Sequence, residues 1–174
     1  MGFESRVKWP NDLLLSTDGR QRKVAGILTE ASSEGSRIGH VVIGIGVNVN
    51  TSTFPDDLAD KATSLRLACG APLRRARVLA RVLSAIESAY EAFEIGGPRA
   101  ACDLWMAHAD LGARYHANVD HGRGVSGIAA GVAPDGALLI RDDAGAVHRI
   151  VAGEVMAEGQ NGRGQELGGE RPPR

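Results

Sequence analysis

The sequence predicts an α+β fold, a partial mixed β-sheet with flanking helices followed by a smaller β-rich unit. Three observations carry that expectation. Short apolar runs punctuated by turn residues fill the first third of the chain, one long amphipathic stretch follows, and a second series of short β-type runs comes after it. The expected division is a first unit over residues 1–110, a second over 111–155 and a tail over 156–174.

In the first unit, Lys8-Trp9-Pro10-Asn11-Asp12-Leu13 comes first. Pro10 fixes its own φ and pushes Trp9 toward an extended conformation, so the chain leaves a strand here. Asn11-Asp12 is a turn-forming pair ahead of the apolar run Leu13-Leu14-Leu15. Further turns are expected at Asp18-Gly19 and Glu34-Gly35. Between them Val24, Ile27 and Leu28 read as a strand, with Lys23 at its start and Glu30 at its far end. His40 to Ile45 reads as a strand of mostly buried type, because Val41, Val42, Ile43 and Ile45 lie on both of its faces. From Leu73 to Phe93 the spacing turns helical, with Ala76, Leu79, Leu83, Ile86, Tyr90 and Phe93 recurring at threes and fours. Arg74, Arg75, Arg77 and Arg81 cluster at its N-terminal end and read as a solvated face. Pro98 opens a second short helix reaching Trp105 and His108, with Trp105 as a packing residue.

The second unit reads as four strands: Tyr115 to Val119, Val125 to Val132, Ala137 to Ile140 and Val147 to Val151. Turns at His121-Gly122, Asp135-Gly136 and Ala144-Gly145 suit hairpins, and the whole reads as a small SH3-like barrel. After Val155 the chain is rich in Gly, Glu, Arg and Pro and lacks apolar periodicity. Residues 156–174 cannot bury enough surface to offset their ordering entropy and are expected to be disordered.

Composition excludes several classes. The 174 residues carry a formal net charge of −1, which leaves no electrostatic footprint for nucleic acid. No apolar stretch approaches membrane-spanning length. The N-terminus lacks a signal-peptide pattern, and Arg6 stands where a myristoylation site needs Ser or Thr. Cys69 and Cys102 lack metal-ligand spacing and read as free thiols of a cytoplasmic protein. The histidines are scattered and are assigned no role. There is no phosphate loop, dinucleotide fingerprint or nucleophile elbow.

Some residue types nevertheless suit a phosphate-and-carboxylate chemistry. Asn11 and Asp12 at a strand end offer oxygen ligands to a hydrated Mg²⁺ or a polyphosphate–metal complex, or else simply form a solvated hairpin turn. Lys23 on a rigid strand can serve a carboxylate and a phosphate together, or else is a surface lysine. Gly26 removes a side chain where a ligand or a second backbone could approach. Gly44 and Gly46 alternate, so they share a face and leave a floor without side chains. Asn48 and Asn50 follow on the same parity and can donate to a phosphate or a sugar.

Taken together, Lys8-Trp9-Pro10-Asn11-Asp12-Leu13, Lys23-Val24-Ala25-Gly26-Ile27-Leu28-Thr29-Glu30, Gly44-Ile45-Gly46-Val47-Asn48-Val49-Asn50 and Ala62-Thr63-Ser64-Leu65 resemble the second half of the catalytic domain of biotin–protein ligases. The resemblance continues to about Val155, with Arg149, Gly153 and Glu154 matching the end of the C-terminal module. It implies an enzyme that joins biotin to AMP and passes the biotinyl group to a lysine of a biotin carboxyl carrier domain. By position it implies Lys23, Gly26, Ile27, Leu28 and Gly44 on the biotin side and Asn11, Asp12 and Asn48 on the ATP and adenylate side. Mg²⁺ would lie at Asp12. Lys23 and Asp12 are the catalytic candidates, the first bridging two anions and the second accepting the proton of the attacking lysine. The other implications are no DNA contact, no membrane, and a homodimer as an open option.

The family places a Gly-Arg-Gly-Arg-x-Gly-Arg-x-Trp segment upstream of Lys8. Only Gly2 to Val7 lie between Met1 and Lys8, so the expectation is an N-terminally truncated chain, inactive alone: an excised fragment, a truncated reading frame or half of a split ligase. Gly122-Arg123-Gly124 and Gly162-Arg163-Gly164 share three letters with that segment but are not in register with it. The alternatives are a lipoate-type ligase of the same catalytic fold and a dead remnant that only docks a carrier or a dimer partner.

Overall fold

The computed structural model describes residues 4–34, 37–119 and 123–157. Four strands open it: β1 (Ser5–Lys8), β2 (Asp12–Thr17), β3 (Arg20–Glu34) and β4 (Arg37–Val47). They form one meander in chain order, and every ladder in it is antiparallel. The expected mixed sheet is therefore corrected. Its strands are joined by short connections, which return the chain beside itself and leave no room for a crossover. Thr17 pairs with Arg20, so the β2–β3 turn is the two-residue Asp18-Gly19. Both turn residues have positive φ, 54° and 72°, as a hairpin that follows the sheet twist requires. The Glu34-Gly35 turn and the His121-Gly122 turn fall partly or wholly outside the described residues. The 156–174 tail does so from residue 158 onward.

β4 is not of the buried type. Val41, Val42 and Ile43 are 49%, 53% and 61% exposed. Apolar residues on both faces of a strand become buried only when layers cover both faces. Among the described residues nothing covers this part of the sheet. Nearer its other end the sheet does have a core, where Leu15, Val24 and Ala25 pack with Val47 and with Leu65 and Ala68 of the short helix α2 (Leu65–Cys69). A one-turn helix, α1 (Asp56–Ala59), precedes α2.

The amphipathic stretch forms α3 (Arg75–His108), broken at Gly97, where φ is 62° and ψ −157°. Pro98 follows that break, so the second helix begins where Pro is tolerated. The apolar stripe Leu79, Leu83, Ile86, Tyr90 and Phe93 is exposed. Trp105, near the far end, packs against the core of the second sheet.

That second sheet holds β5 (Arg114–Val119), β6 (Arg123–Val132), β7 (Leu138–Arg141), β8 (Val147–Ile150) and β9 (Glu154–Ala157), in the order β8-β7-β6-β5-β9. The strands fall where the turns predict them, with β9 added. The sheet is open, however, and does not close into the expected barrel. β8 runs into β9 through residues 151–153 with no ladder between the two, so each remains an edge. Its core is Tyr115, Ala117, Ala129, Leu138, Ile140, Ile150 and Val155, together with Trp9 from the first sheet's opening turn. Gly127 is obligatory there, because a Cβ would lie 2.2 Å from the Arg141 carbonyl oxygen. No described helix is long and apolar enough to cross a membrane.

Candidate functional site

The site grows from one irregularity between β2 and β3. Leu13 pairs with Ala25 but Leu14 pairs with Lys23, so Val24 is an extra residue in β3. The bulge lets Val24 and its neighbour Ala25 both enter the core, at 1% and 8% exposure. It also re-aims Lys23 toward Asp12, at the start of β2. The Lys23 Nζ lies 2.5 Å from Asp12 Oδ1, with the two side chains 47% and 23% exposed.

Gly26, the cross-strand partner of Asp12, makes that approach possible. A Cβ on Gly26 would lie 3.0 Å from Lys23 Cε and 3.1 Å from its Nζ. The space that Gly26 leaves is thus taken by the lysine itself. Gly46 pairs with Gly26 and Gly44 with Leu28, so these four residues share one face of β3 and β4 with Asp12. The Lys23 ammonium stands at the edge of this glycine-rich floor. Ile27 pairs with Ile45 and its side chain points to the opposite face. Its backbone is tied to Asn11: Asn11 Nδ2 donates to the Ile27 carbonyl at 2.6 Å, and the Ile27 N–H donates to the Asn11 carbonyl at 2.9 Å.

The loop after β4 and the Ala62-Thr63-Ser64-Leu65 segment lock the lysine's backbone. Lys23 N–H donates to the Lys61 carbonyl at 2.8 Å, and Thr63 N–H to the Lys23 carbonyl at 2.9 Å. Asn48 N–H caps the carbonyl of the bulged Val24 at 2.9 Å, and the Asn48 carbonyl accepts Leu65 N–H at 2.9 Å. Ser64 is fully buried; its hydroxyl donates to the Thr51 carbonyl at 2.6 Å and accepts Leu67 N–H at 3.1 Å as the N-cap of α2. Asn50 is spent on structure. Its amide donates to the Leu73 carbonyl and accepts the Leu73 N–H, each at 2.8 Å, which leaves it unsuited to the phosphate role expected for it.

Sequence reasoning missed the strap formed by Thr63 and Ser64. A signal for it exists, since Ser64 ahead of Leu65-Arg66-Leu67-Ala68 with Gly70 behind is a capped-helix pattern. The Val24 bulge has no comparable local signal. One cavity, of about 430 Å³, lies among Leu65, Leu73, Val78 and three of the clustered arginines, Arg74, Arg77 and Arg81. Another, of about 330 Å³, lies beside Arg22, Thr17 and Thr53. Neither includes Lys23 or Asp12, and on the glycine floor Leu28, Gly44 and Gly46 are exposed, so the floor is an open surface. For a metal, Asp12 offers one carboxylate, and no described cluster of three or more His, Cys, Asp or Glu could hold an ion unaided. That donor set fits Mg²⁺ arriving with phosphate oxygens and water as its other ligands.

The model of the biotin/lipoate A/B protein ligase family matches residues 1–48, and that of the biotin protein ligase C-terminal domain matches residues 118–156. The chain belongs to the biotin protein ligase family. It is 35% identical over 157 residues to the bifunctional ligase/repressor BirA of Bacillus subtilis, an alignment spanning 88% of this chain and 46% of the relative. It is 32% identical over 154 residues to the biotin–[acetyl-CoA-carboxylase] ligase of Mycobacterium tuberculosis, spanning 88% of this chain and 53% of that one. The chain thus spans about half the length of these curated relatives. Its fold matches the apo biotin protein ligase of Aquifex aeolicus with a TM-score of 0.72 and 27% identity, covering 87% of this chain and 64% of that one. The same ligase in complex with biotin and ATP matches with a TM-score of 0.69 and 25% identity, covering 88% and 61%.

Proposed function

We propose that this chain carries the Lys23 side of an ATP-dependent biotin–protein ligase site, which forms biotinyl-5′-AMP and transfers biotin to a lysine of a biotin carboxyl carrier domain. The observation that supports it most is the Lys23 ammonium, held by a bulge and a backbone strap at the edge of the Gly26, Gly44 and Gly46 floor, with the Asp12 carboxylate beside it. In adenylation a carboxylate oxygen of biotin attacks the α-phosphorus of ATP, and the bond to pyrophosphate breaks. Two anions must meet, and Lys23 is the cation placed to bridge them. Charge shifts toward the oxygens around phosphorus in the transition state, so Lys23 binds that state better than the ground state. The Lys23–Asp12 pair must open for this, freeing Lys23 for the substrate anions; Asp12 would hold an Mg²⁺, which would supply further positive charge at the phosphates. In the second step the carrier amine attacks the anhydride carbonyl, AMP leaves, and Asp12 takes the amine proton.

In this reading Gly26, Gly44 and Leu28 face biotin, Ile27 contributes through its backbone, and Asn11 and Asn48 lie on the nucleotide side. The second sheet is an SH3-like module in open form. The protein works in the cytoplasm without DNA or membrane contact, and a homodimer is compatible with the exposed β4 edge. The 174 residues alone do not turn over, because an open floor cannot enclose biotin.

The test is biotin-dependent pyrophosphate release by a complete ligase carrying this chain. Lys23→Ala should lower it by about 10²–10³-fold, the cost of removing one transition-state donor. Near-normal turnover in that variant would refute the role of Lys23. Release that depends on lipoate instead of biotin would move the chain to the lipoate branch.

A further inference from the structure

We infer that Arg149 and Asp135 are positioning residues for this site, acting through Trp9. Building on the ligase reading, this assigns the second sheet a task in the first sheet's chemistry. Trp9 lies two and three residues before Asn11 and Asp12, yet its side chain belongs to the other sheet's core, 8% exposed among Tyr115, Leu138 and Ile140. Its indole Nε1 donates to the Gly136 carbonyl at 3.0 Å. Gly136 sits in the β6–β7 turn with φ +85°, and its own N–H donates to the Ala133 carbonyl at 2.8 Å. The same turn carries Asp135, gripped at both carboxylate oxygens by Arg149 of β8; the Nη1–Oδ1 contact is 2.8 Å and the Nη2–Oδ2 contact completes the fork. A bidentate guanidinium–carboxylate pair fixes orientation as well as distance.

The path is therefore short and contiguous. Arg149 holds Asp135, the turn presents the Gly136 carbonyl, that carbonyl and the surrounding core hold Trp9, and Trp9 sets where Asn11 and Asp12 leave the turn. Asp12 meets Lys23 at 2.5 Å, so a shift of this turn is a shift of the ion pair. An exposed ion pair of this kind contributes little to global stability, which makes geometry its main effect. The consequence is that loosening Arg149 or Asp135 releases Lys23 without unfolding the protein.

The experiment has two arms. In the 174-residue chain, the acetylation rate of Lys23 relative to the exposed Lys61 is followed by mass spectrometry in Asp135→Ala, Arg149→Ala and the charge-swapped pair Asp135→Arg with Arg149→Asp. Either single variant should raise the Lys23 rate about threefold with the melting temperature unchanged, and the swap should restore the rate, because a contact that only adds stability would move melting and labelling together. Arg149→Lys, which keeps the charge and loses the fork, should give an intermediate rate and serves if the alanine variants fail to fold. In a complete ligase the same variants should lower kcat for pyrophosphate release about tenfold with KM for biotin held within twofold, as a misplaced but intact site does. Lys23 labelling that is the same in all variants would overturn the inference. A parent ligase with no biotin-dependent turnover would overturn the ligase reading instead, and the labelling arm would still decide the positioning role.

Discussion

The two sheets of this chain are built from similar residues and meet opposite fates. In the second, Leu138, Ile140 and Ile150 are buried to 1% exposure or less, on strands of four residues each. In the first, Val42 and Ile43 lie in the middle of an eleven-residue strand and are more than half exposed. Strand formation is a matter of local pattern, but burial needs a second layer. The small sheet obtains one from Trp9 and from Trp105 at the end of α3, while the β3–β4 ribbon has α2 at its Val24 and Val47 end and nothing among the described residues around Val42 and Ile43. Candidate chemistry sits on the exposed face of the first sheet, where Leu28, Gly44 and Gly46 are open, as expected of a surface that must admit a substrate. Its fixed point, Trp9, is anchored in the covered one.

The largest effect that sharpens this contrast is a cavity in the second sheet. Ile140→Ala should destabilise the chain by about 2–5 kcal/mol, while Ile43→Ala on β4 should change stability by less than about 0.5 kcal/mol. Denaturant unfolding of the two variants compares them directly, and equal losses would mean that β4 is covered in solution.

Next in size is the Tyr115 phenol, in the same core. Burial, assisted by the Asp110 carboxylate, pushes its pKa up to about 12. The folded state then holds a proton that the unfolded chain loses near pH 10, so stability is intact below pH 10 and falls as pH rises toward 12. The loss should reach about 2–3 kcal/mol, at 1.36 kcal/mol per pKa unit. Unfolding of the parent and of Tyr115→Phe across that range checks it, since the variant should lack this component of the decline.

Two glycines give a third comparison. Gly127→Ala drives a Cβ against the Arg141 carbonyl and should cost about 1–3 kcal/mol. At Gly44 the nearest atoms to an added Cβ are 3.7 and 3.9 Å away, so Gly44→Ala should leave melting unchanged. In a complete ligase, however, it should weaken biotin binding measured by calorimetry. The smallest stability effect is expected from Val42→Thr with Ile43→Thr, within about 0.5 kcal/mol. Sedimentation should nonetheless show less self-association, because the exposed edge and face become less adhesive.

Much of this was legible in the chain. Asp18-Gly19 specifies its hairpin because only a few residue types accept positive φ, and Asp135-Gly136 likewise marks the β6–β7 turn. The break at Gly97 ahead of Pro98 follows from the missing N–H of proline. Lys23, Asp12 and Gly26 could be singled out as residue types at suggestive spacing. Their meeting depends on the Val24 bulge, which shifts register by one residue and has no local signature. Asn50 illustrates the reverse error, since an amide suited to a ligand is equally suited to a backbone, and Leu73 claimed it.

Sequence by itself determined the elements: alternation, helical spacing and turn residues act over a few positions, and each constrains its own backbone. Tertiary structure alone decided which apolar residues are buried, whether the second sheet closes, and where Trp9 goes. Those outcomes depend on surfaces brought together from distant parts of the chain, and the Trp9 indole finds its carbonyl 127 residues away at Gly136. No local preference encodes such a contact, because its energy exists only once both sheets have formed.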